Sequence, residues 1–234
     1  MSGSIRWLGH AFVEFTTADN KVVLFDPWTK DDGNPGCPFG TDEIERADLV
    51  VVSHDHFDHI ASAAAICEKT NALLAGPVQS LKRLIEEGFK EDQVVNFGFG
   101  YMVGGGVELD WVKVVSIPAF HSSDTACALG NIVIASDGTT VYHAGDTCVF
   151  GDMALYGKLY PMDVAILPIG GVFTMDAYQA GEAAKMINPK YVLPIHYASF
   201  PIIAKTADDF IKQCEEKAPD VKVIAPQAGE SFSI

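Results

Sequence analysis

Residues 50–62 read VVVSHDHFDHIAS, and this run constrains the fold more than any other segment of the chain. Its valines continue the apolar stretch ADLVVVS, which is typical of a strand buried on both faces. Three histidines and two aspartates follow within the next seven residues. The chain must therefore bury a strand and place a dense group of polar side chains at its carboxyl end.

The spacing of these polar residues predicts metal binding, because imidazole and carboxylate are the usual ligands of divalent ions such as zinc. Side chains two positions apart on a strand end point to the same side, so His54 and His56 can bind one ion. Asp58 and His59 follow where the chain turns into a helix and can reach a second ion. A helix cap would explain Asp58 alone, but it does not explain the three histidines.

Three further candidates each end an apolar, strand-like run: His121 after VVSIPAF, Asp146 after VYHAG and His196 after VLPI. The ends of buried strands are where a sandwich of sheets presents its chemistry. Because several such residues accompany the local cluster, we expect them to join it. His143 lies inside the strand pattern, and we expect it to be a buried, hydrogen-bonded residue rather than a ligand.

The order of apolar patterns predicts two similar halves of strands followed by helices, with a joint near residues 104–106. No linker divides them, so we expect one domain over residues 1–234. The predicted fold class is α/β (α+β in some schemes), a four-layer αββα sandwich. The long loop of residues 26–47 is predicted to form a flap over the site. Loops 28–43 and 150–160 are predicted to set specificity, and they carry no basic cluster that indicates a phosphate.

The net charge and the composition count against binding to polyanions and against a membrane-spanning protein. The 31 acidic and 16 basic residues give a net charge of −15, which disfavours binding to nucleic acid or to anionic membranes. The charge leaves two alternatives open, a small phosphorylated substrate and a homo-oligomer.

The five cysteines include no CxxC pair, which favours reduced thiols. The N-terminus resembles no signal peptide and no apolar run reaches the roughly 20 residues of a membrane span, so a cytoplasmic protein is predicted.

Taken together, the motif HxHxDH and the later His, Asp and His resemble the metallo-β-lactamase superfamily. The phrases WLGHA, PAFHSS, YHAGDT, LPIGGVFTMD and IHY extend the likeness over essentially all 234 residues. They resemble small prokaryotic metal-dependent hydrolases close to ascorbate-6-phosphate lactonase. The resemblance implies the metallo-β-lactamase fold and two divalent ions per chain, with zinc expected and manganese or iron as alternatives.

Carried over by position, the family pattern implies a role for each ligand. It assigns His54, His56 and His121 to the first ion, Asp58, His59 and His196 to the second, and Asp146 to a bridge between them. Asp26, which precedes Pro27, matches a carboxylate that supports the ligand loop. Relatives often carry a small residue where Phe57 stands, so Phe57 is expected to narrow the pocket.

The implied reaction is hydrolysis of a small ester, lactone, amide or phosphodiester by a metal-bridging hydroxide, with Asp58 as the catalytic residue. A nuclease or RNA-processing phosphodiesterase of the same superfamily is the alternative, and the acidic charge counts against it. A di-iron redox protein, which usually needs a flavin domain, and a non-enzymatic metal-binding module are less favoured interpretations.

Five residues near the motifs are predicted to contact substrate: His10, Trp28, Ser122, Thr147 and Tyr197. For His10, an ordinary buried histidine is an equal alternative, and for Ser122 and Thr147 the alternative is turn chemistry. Phe173 is a candidate for the pocket wall, and packing in the core is the favoured alternative for it.

Overall fold

The computed structural model describes residues 3–234, which form thirteen strands and six α-helices. Met1 and Ser2, at the start of the predicted domain, lie outside the described residues. The strands are β1 (Ser4–Gly9), β2 (Phe12–Thr16), β3 (Val22–Phe25), β4 (Leu49–Val51), β5 (Leu73–Ala75), β6 (Gly106–Leu109), β7 (Val112–Pro118), β8 (Leu129–Ala135), β9 (Thr140–His143), β10 (Val164–Pro168), β11 (Tyr191–Ile195), β12 (Lys222–Val223) and β13 (Ser231–Ser233).

Within residues 3–234, six α-helices lie between the strands. They are α1 (Phe57–Ile60), α2 (Ala63–Thr70), α3 (Val78–Glu86), α4 (Met153–Leu159), α5 (Ala177–Ile187) and α6 (Asp208–Lys217), with short 3-10 turns at Lys30–Asp32, Thr41–Glu43 and Glu91–Gln93. At the start of α5, the Asp176 side chain accepts a hydrogen bond from the Gln179 amide and so caps this helix.

Two predictions about local structure need correction. The sequence HIASAAAICEKT of residues 59–70 predicts one helix, but the structure has α1 and α2 there, because the Ser62 amide donates to the Pro27 carbonyl at 3.1 Å and leaves the helical pattern. The segment 150–160, expected to be a specificity loop, contains α4. Gly157 lets α4 approach the end of α5, since a Cβ there would lie 2.3 Å from the Ile187 carbonyl oxygen.

The strands form two mixed sheets. One has the order β13-β1-β2-β3-β4-β5 and the other the order β12-β11-β10-β9-β8-β7-β6. The first half of the chain supplies five strands of one sheet, and the second half supplies all of the other. The C-terminal strand β13 crosses over to pair with β1, where Ile5 faces Phe232, so the two halves are not independent repeats.

Alternating side chains explain why the central strands are apolar throughout. Val51 of β4 points into the large core cluster that both sheets share, whereas Val50 points into a second cluster with α2 and α3. On β3, Val23 likewise belongs to the core cluster that both sheets share, and Leu24 belongs to the cluster with α2 and α3. On the other side of the molecule, α5 packs on β10 and α6 packs on α5. The layers are therefore helix, sheet, sheet and helix, and β4 ends directly at the histidine run.

None of the helices within residues 3–234 has the length and apolar character that crossing a lipid bilayer requires.

Candidate metal centre

The first histidine after β4 is oriented by a hydrogen-bond chain. The Ser53 hydroxyl donates to Oδ2 of Asp26 at 2.6 Å, so it accepts from Nδ1 of His54, which lies 2.9 Å away. This arrangement leaves Nε2 of His54 to face the centre, where it lies 3.0 Å from Nδ1 of His56. The two side chains point to the same side of the extended segment, as their spacing predicts.

Helix α1 brings Asp58 and His59 to the same place. Nδ1 of His59 donates to Oδ2 of Asp26 at 2.7 Å, and Asp26 also accepts the Ser53 amide at 2.7 Å. A carboxylate behind a histidine fixes the ring orientation and directs Nε2 forward, which is the usual support for a metal-binding imidazole. Asp26 thus lies where the family pattern places a supporting carboxylate.

The second half of the chain supplies three side chains from three separate strand ends. Oδ2 of Asp146 lies 3.0 Å from Nε2 of His196 and 3.5 Å from Nε2 of His121, and its Oδ1 lies 3.4 Å from Nε2 of His59. Asp146 therefore contacts histidines from both halves of the molecule. It occupies the position between the two groups that the predicted bridge requires.

Three overlapping groups of donor atoms have geometry suited to a metal ion, and within each group the atoms lie within 4.8 Å of one another. They are His54, His56 and His121; His54, His59 and Asp146; and His10, Asp58, His59 and His196. All seven predicted ligands fall in these groups. The structure adds His10, which the sequence suggested only as a substrate contact.

Burial and charge set the ionisation of the cluster. Burial lowers the pKa of His54 to about 3, so its ring is neutral and has a lone pair to donate. Burial also acts to lower the pKa of His59, but the carboxylates of Asp146 and Asp26 raise it well above its usual value. Burial acts to raise the pKa of Asp146, but His196 and His59 hold it well below the usual range. The carboxylates are therefore ionised.

Buried side-chain atoms that lack a hydrogen-bond partner show whether these residues fit a metal. Among the described residues, Nε2 of His59 and Oδ1 of Asp146 are buried side-chain atoms without a hydrogen-bond partner, although they lie 3.4 Å apart. Buried polar atoms are rarely left without partners, because desolvation without compensation costs about 1–3 kcal/mol for each group. A divalent cation that displaces the Nε2 proton of His59 would contact both atoms and balance the charge of the ionised carboxylates, so the residues fit a metal.

Asp55, between the two histidines, is a residue whose role the sequence did not predict. Its carboxylate accepts hydrogen bonds from the Ser123 and Thr125 hydroxyls and, at 2.8 Å, from the Asp124 amide. Arg83 of α3 lies 3.3 Å away. Asp55 therefore ties the His54–His56 segment to the loop that carries His121. The sequence did offer one sign of this role: Asp55 lies between two predicted metal ligands, His54 and His56.

His10 is fully buried behind Asp58, and its side chain has no surface in the cavity. Its Nε2 lies 3.0 Å from Oδ2 of Asp58, and its Nδ1 lies 2.5 Å from Oγ of Ser199. Burial lowers the pKa of His10 to about 4, although the hydrogen bond with Asp58 acts in the opposite direction. The neutral ring donates Nε2–H to Asp58. Its position fits a support for Asp58 and not the predicted contact with substrate.

Of the other predicted substrate contacts, only Ser122 lines the cavity beside the cluster. The Thr147 hydroxyl accepts the Phe120 amide and donates to the Cys148 carbonyl, so it is occupied in a turn. Tyr197 stacks on Trp7 with the ring centres 4.9 Å apart. Trp28 is buried, and its Nε1 donates to the Asp32 carbonyl. The structure thus places these three side chains behind the surface that a substrate would meet.

The cavity walls come from unexpected segments. Phe57 lines the cavity as predicted. Phe173 is 55% exposed and lines it too, so its place is in the pocket wall and not in the core, which was the favoured alternative. Residues 200–202 complete the wall, whereas the long loop of residues 26–47 contributes none of the lining. The predicted flap is therefore wrong, because that loop turns Trp28 and Thr29 inward instead. His143 is buried and bonded to the Ala11 carbonyl, as predicted.

Comparison with known proteins supports a hydrolase. The family model described as the beta-lactamase superfamily domain matches residues 4–196. A metal-dependent hydrolase of Nitratidesulfovibrio vulgaris is 41% identical over 234 residues, covering 100% of this chain and 96% of the relative. One from Caldivirga maquilingensis is 39% identical, covering 99% of this chain and 98% of the relative.

Solved structures agree on the fold. A metallo hydrolase from the archaeon Ignicoccus hospitalis superposes with a TM-score of 0.88 at 34% identity, covering 100% of this chain and 99% of the other. An isothiocyanate hydrolase from Delia radicum gut bacteria has a TM-score of 0.76 at 18% identity, covering 99% of each chain, and shares the fold alone. The predicted superfamily and fold are confirmed.

Proposed function

Since this chain belongs to the beta-lactamase superfamily and is a metal-dependent hydrolase, we propose that its cluster holds two divalent metal ions, with zinc as the native metal. One observation carries the proposal: five imidazoles and two carboxylates from separate segments converge, and among them the buried Nε2 of His59 and Oδ1 of Asp146 have no hydrogen-bond partner. The residues that would hold the first ion are His54, His56 and His121, those that would hold the second are Asp58, His59 and His196, and Asp146 would serve both.

The reaction proposed is hydrolysis of a small ester, lactone, amide or phosphodiester. When bound, the two ions lower the pKa of a coordinated water from about 15.7 towards about 7 and polarise the bond under attack. The protein's own groups hold this arrangement in place. Asp26 orients His59, Ser53 orients His54, and both ligand-bearing halves are joined in one domain of the whole chain.

Asp58 and Asp146 both line the cavity, and Asp58 is the proposed catalytic residue because Asp146 is assigned to the bridge between the two ions. Oδ2 of Asp58 lies 4.0 Å from Nε2 of both His59 and His196. Burial acts to raise its pKa, but the hydrogen bond from His10 and the nearby His59 lower it. Asp58 is thus an ionised carboxylate, held by His10, that can orient the attacking water and pass its proton to the leaving group.

Elemental analysis of the purified protein tests the metal assignment. We expect about two zinc ions per chain, and we expect His54→Ala and Asp146→Ala to lose metal and activity together. Asp152→Asn is the matched control, because Asp152 is exposed and caps no helix through its side chain. It should retain both ions. Full activity after removal of all metal by a chelator would refute the proposal.

A further inference from the structure

A cavity of about 550 Å³ opens directly over the cluster. Besides the ligands, its walls consist of Phe57, Ser122, Phe173, Phe200, Pro201 and Ile202. Five of these six side chains are apolar. A concave, apolar surface beside reactive groups is the usual form of a small-molecule site, and the polar groups face the reacting bond.

Three large side chains of the apolar wall are more than half exposed to solvent. Phe57 is 60% exposed, Phe173 is 55% exposed and Ile202 is 63% exposed. Large apolar side chains gathered around one concavity indicate a surface that another molecule covers, because their burial is favourable by about 25 cal/mol per Å². The wall is therefore suited to the part of a substrate that does not react.

Trp28 holds the aromatic part of this wall in a fixed arrangement. Its ring centre lies 5.5 Å from that of Phe57 in an edge-on contact and 5.7 Å from that of Phe200 in a stacked contact. Phe57 and Phe200 lie 6.4 Å apart and meet nearly at right angles. Since Trp28 itself is buried, the two phenylalanines are supported from behind, and the site is preformed.

The charge of the side chains that line the cavity also favours an uncharged group on the part of the substrate that does not react. Within residues 3–234, the side chains that line this cavity include no lysine and no arginine. Lys205, in the same loop as Phe200, donates to the Phe200 carbonyl and is not part of the lining. A charged group on the distant part of a substrate would lose water against this wall without gaining a partner, which is strongly unfavourable.

We infer that the substrates are neutral acyl compounds, such as esters or lactones, whose non-reacting part is a hydrocarbon or aromatic group. The inference rests on the hydrolysis proposed above and names its substrate class. The carbonyl faces the His/Asp cluster, and the apolar chain packs between Phe57, Phe173 and Ile202. Sugar phosphates and other substrates with a distant anionic group are disfavoured. Phe57 is the residue that sets this preference.

Two matched esters test the substrate class with the zinc-loaded protein. p-Nitrophenyl hexanoate and mono-p-nitrophenyl adipate share the carbonyl, the leaving group and the length of the acyl chain, but the adipate ends in a carboxylate. We expect kcat/KM to be about tenfold or more higher for the hexanoate. From acetate through butyrate to hexanoate it should rise about two- to fourfold per methylene. Equal rates on the matched pair, or no rise with chain length, would overturn the inference.

Substitutions in the apolar wall test whether its side chains set the preference for a long acyl chain. Phe57→Ser and Ile202→Ser should each lower the ratio of the hexanoate rate to the acetate rate by about threefold or more. The ratio cancels any disturbance of the neighbouring Asp58. Phe97→Ser is the matched control, because Phe97 is 96% exposed and lies outside the cavity. A fall in the ratio for Phe97→Ser equal to that for Phe57→Ser would contradict the assignment.

Binding of two anilides, each confirmed to be intact after the titration, separates failure of this inference from failure of the proposed hydrolysis. Hexananilide is neutral, whereas adipanilic acid carries a carboxylate at the end of the same chain. We expect titration calorimetry to show about tenfold tighter binding of hexananilide, weakened by Phe57→Ser. If hexananilide is preferred but no ester is hydrolysed, the proposed hydrolysis fails and the apolar cavity stands. Equal binding of both amides overturns the apolar cavity.

Discussion

Nε2 of His10 lies 3.0 Å from Oδ2 of Asp58, although 48 positions separate the two residues in the chain. Both are buried, and the other ring nitrogen of His10 contacts the Ser199 hydroxyl. His10 therefore holds a carboxylate that lines the cavity without reaching the cavity itself. It is a positioning residue for Asp58.

His10→Ala should lower kcat by about 10- to 100-fold with a smaller change in KM, because Asp58 loses the donor that orients it. His10→Gln, which keeps an N–H donor at a similar reach, should restore part of the loss. Kinetics on p-nitrophenyl butyrate, together with the zinc content of each variant, would measure this. Wild-type kcat in His10→Ala would show that Asp58 needs no such support.

Asp26→Asn should weaken zinc binding by about 10- to 100-fold, because the amide cannot accept both from His59 and from Ser53 as the carboxylate does. The free energy of unfolding should also fall by about 1–3 kcal/mol, since buried donors lose a partner. Competition with a chromogenic chelator gives the affinity, and Asp152→Asn is the control. Unchanged zinc affinity in Asp26→Asn would refute the supporting role.

Asp55→Asn should destabilise the protein at pH 7, and the difference from wild type should shrink in acid. Burial acts to raise the pKa of Asp55, but hydrogen bonds from Ser123 and Thr125 lower it to about 2. In the unfolded chain the pKa is about 3.9. A lowered pKa stabilises the fold above pH 4, and this contribution disappears as the pH falls towards 2.

The size of the Asp55 effect should be about 1–2 kcal/mol at pH 7, allowing for screening by nearby solvent. Urea unfolding of metal-free wild type and Asp55→Asn at several pH values between 7 and 2.5 would measure it. A difference that widens towards low pH has the wrong sign and would exclude this explanation.

Gly170→Ala should displace His196, because a Cβ at Gly170 would lie 2.6 Å from the His196 carbonyl oxygen and 2.8 Å from its Nδ1. We expect a loss of about 1–3 kcal/mol in stability and weaker binding of one metal ion. Gly151→Ala is the matched control, since a Cβ at Gly151 would have no other atom within 4 Å. Thermal unfolding with and without zinc compares them. Equal behaviour of the two variants would contradict the prediction.

Much of the architecture could be predicted because the relevant patterns are local. The alternation of Val50 and Val51 between two cores follows from strand geometry, and the residues after each strand can be read from the sequence. All seven predicted ligands come together in the structure. Their identity as metal ligands stays a prediction, as does the closeness to ascorbate-6-phosphate lactonase.

The positions of Phe173 and Trp28 could not be predicted from the sequence, and the physical reason is the same for both. Phe173 and Trp28 are both large aromatic residues in loops, and no periodic pattern tells which of them is covered. Trp28 is covered because residues 57 and 200 pack across it, whereas Phe173 faces the cavity. The loop of residues 26–47 has the composition of a flap, but contacts made elsewhere in the chain fold it inward.

By itself, the sequence determined which side chains end the buried strands, and therefore the chemistry of the cluster, since strand periodicity and ligand type are properties of short segments. The tertiary structure alone decided how those side chains are held and what surrounds them. Asp26 reaches His59 across 33 positions, and Asp55 reaches the Asp124 amide across 69. Such contacts depend on how two sheets pack, so they appear only when the whole chain is folded.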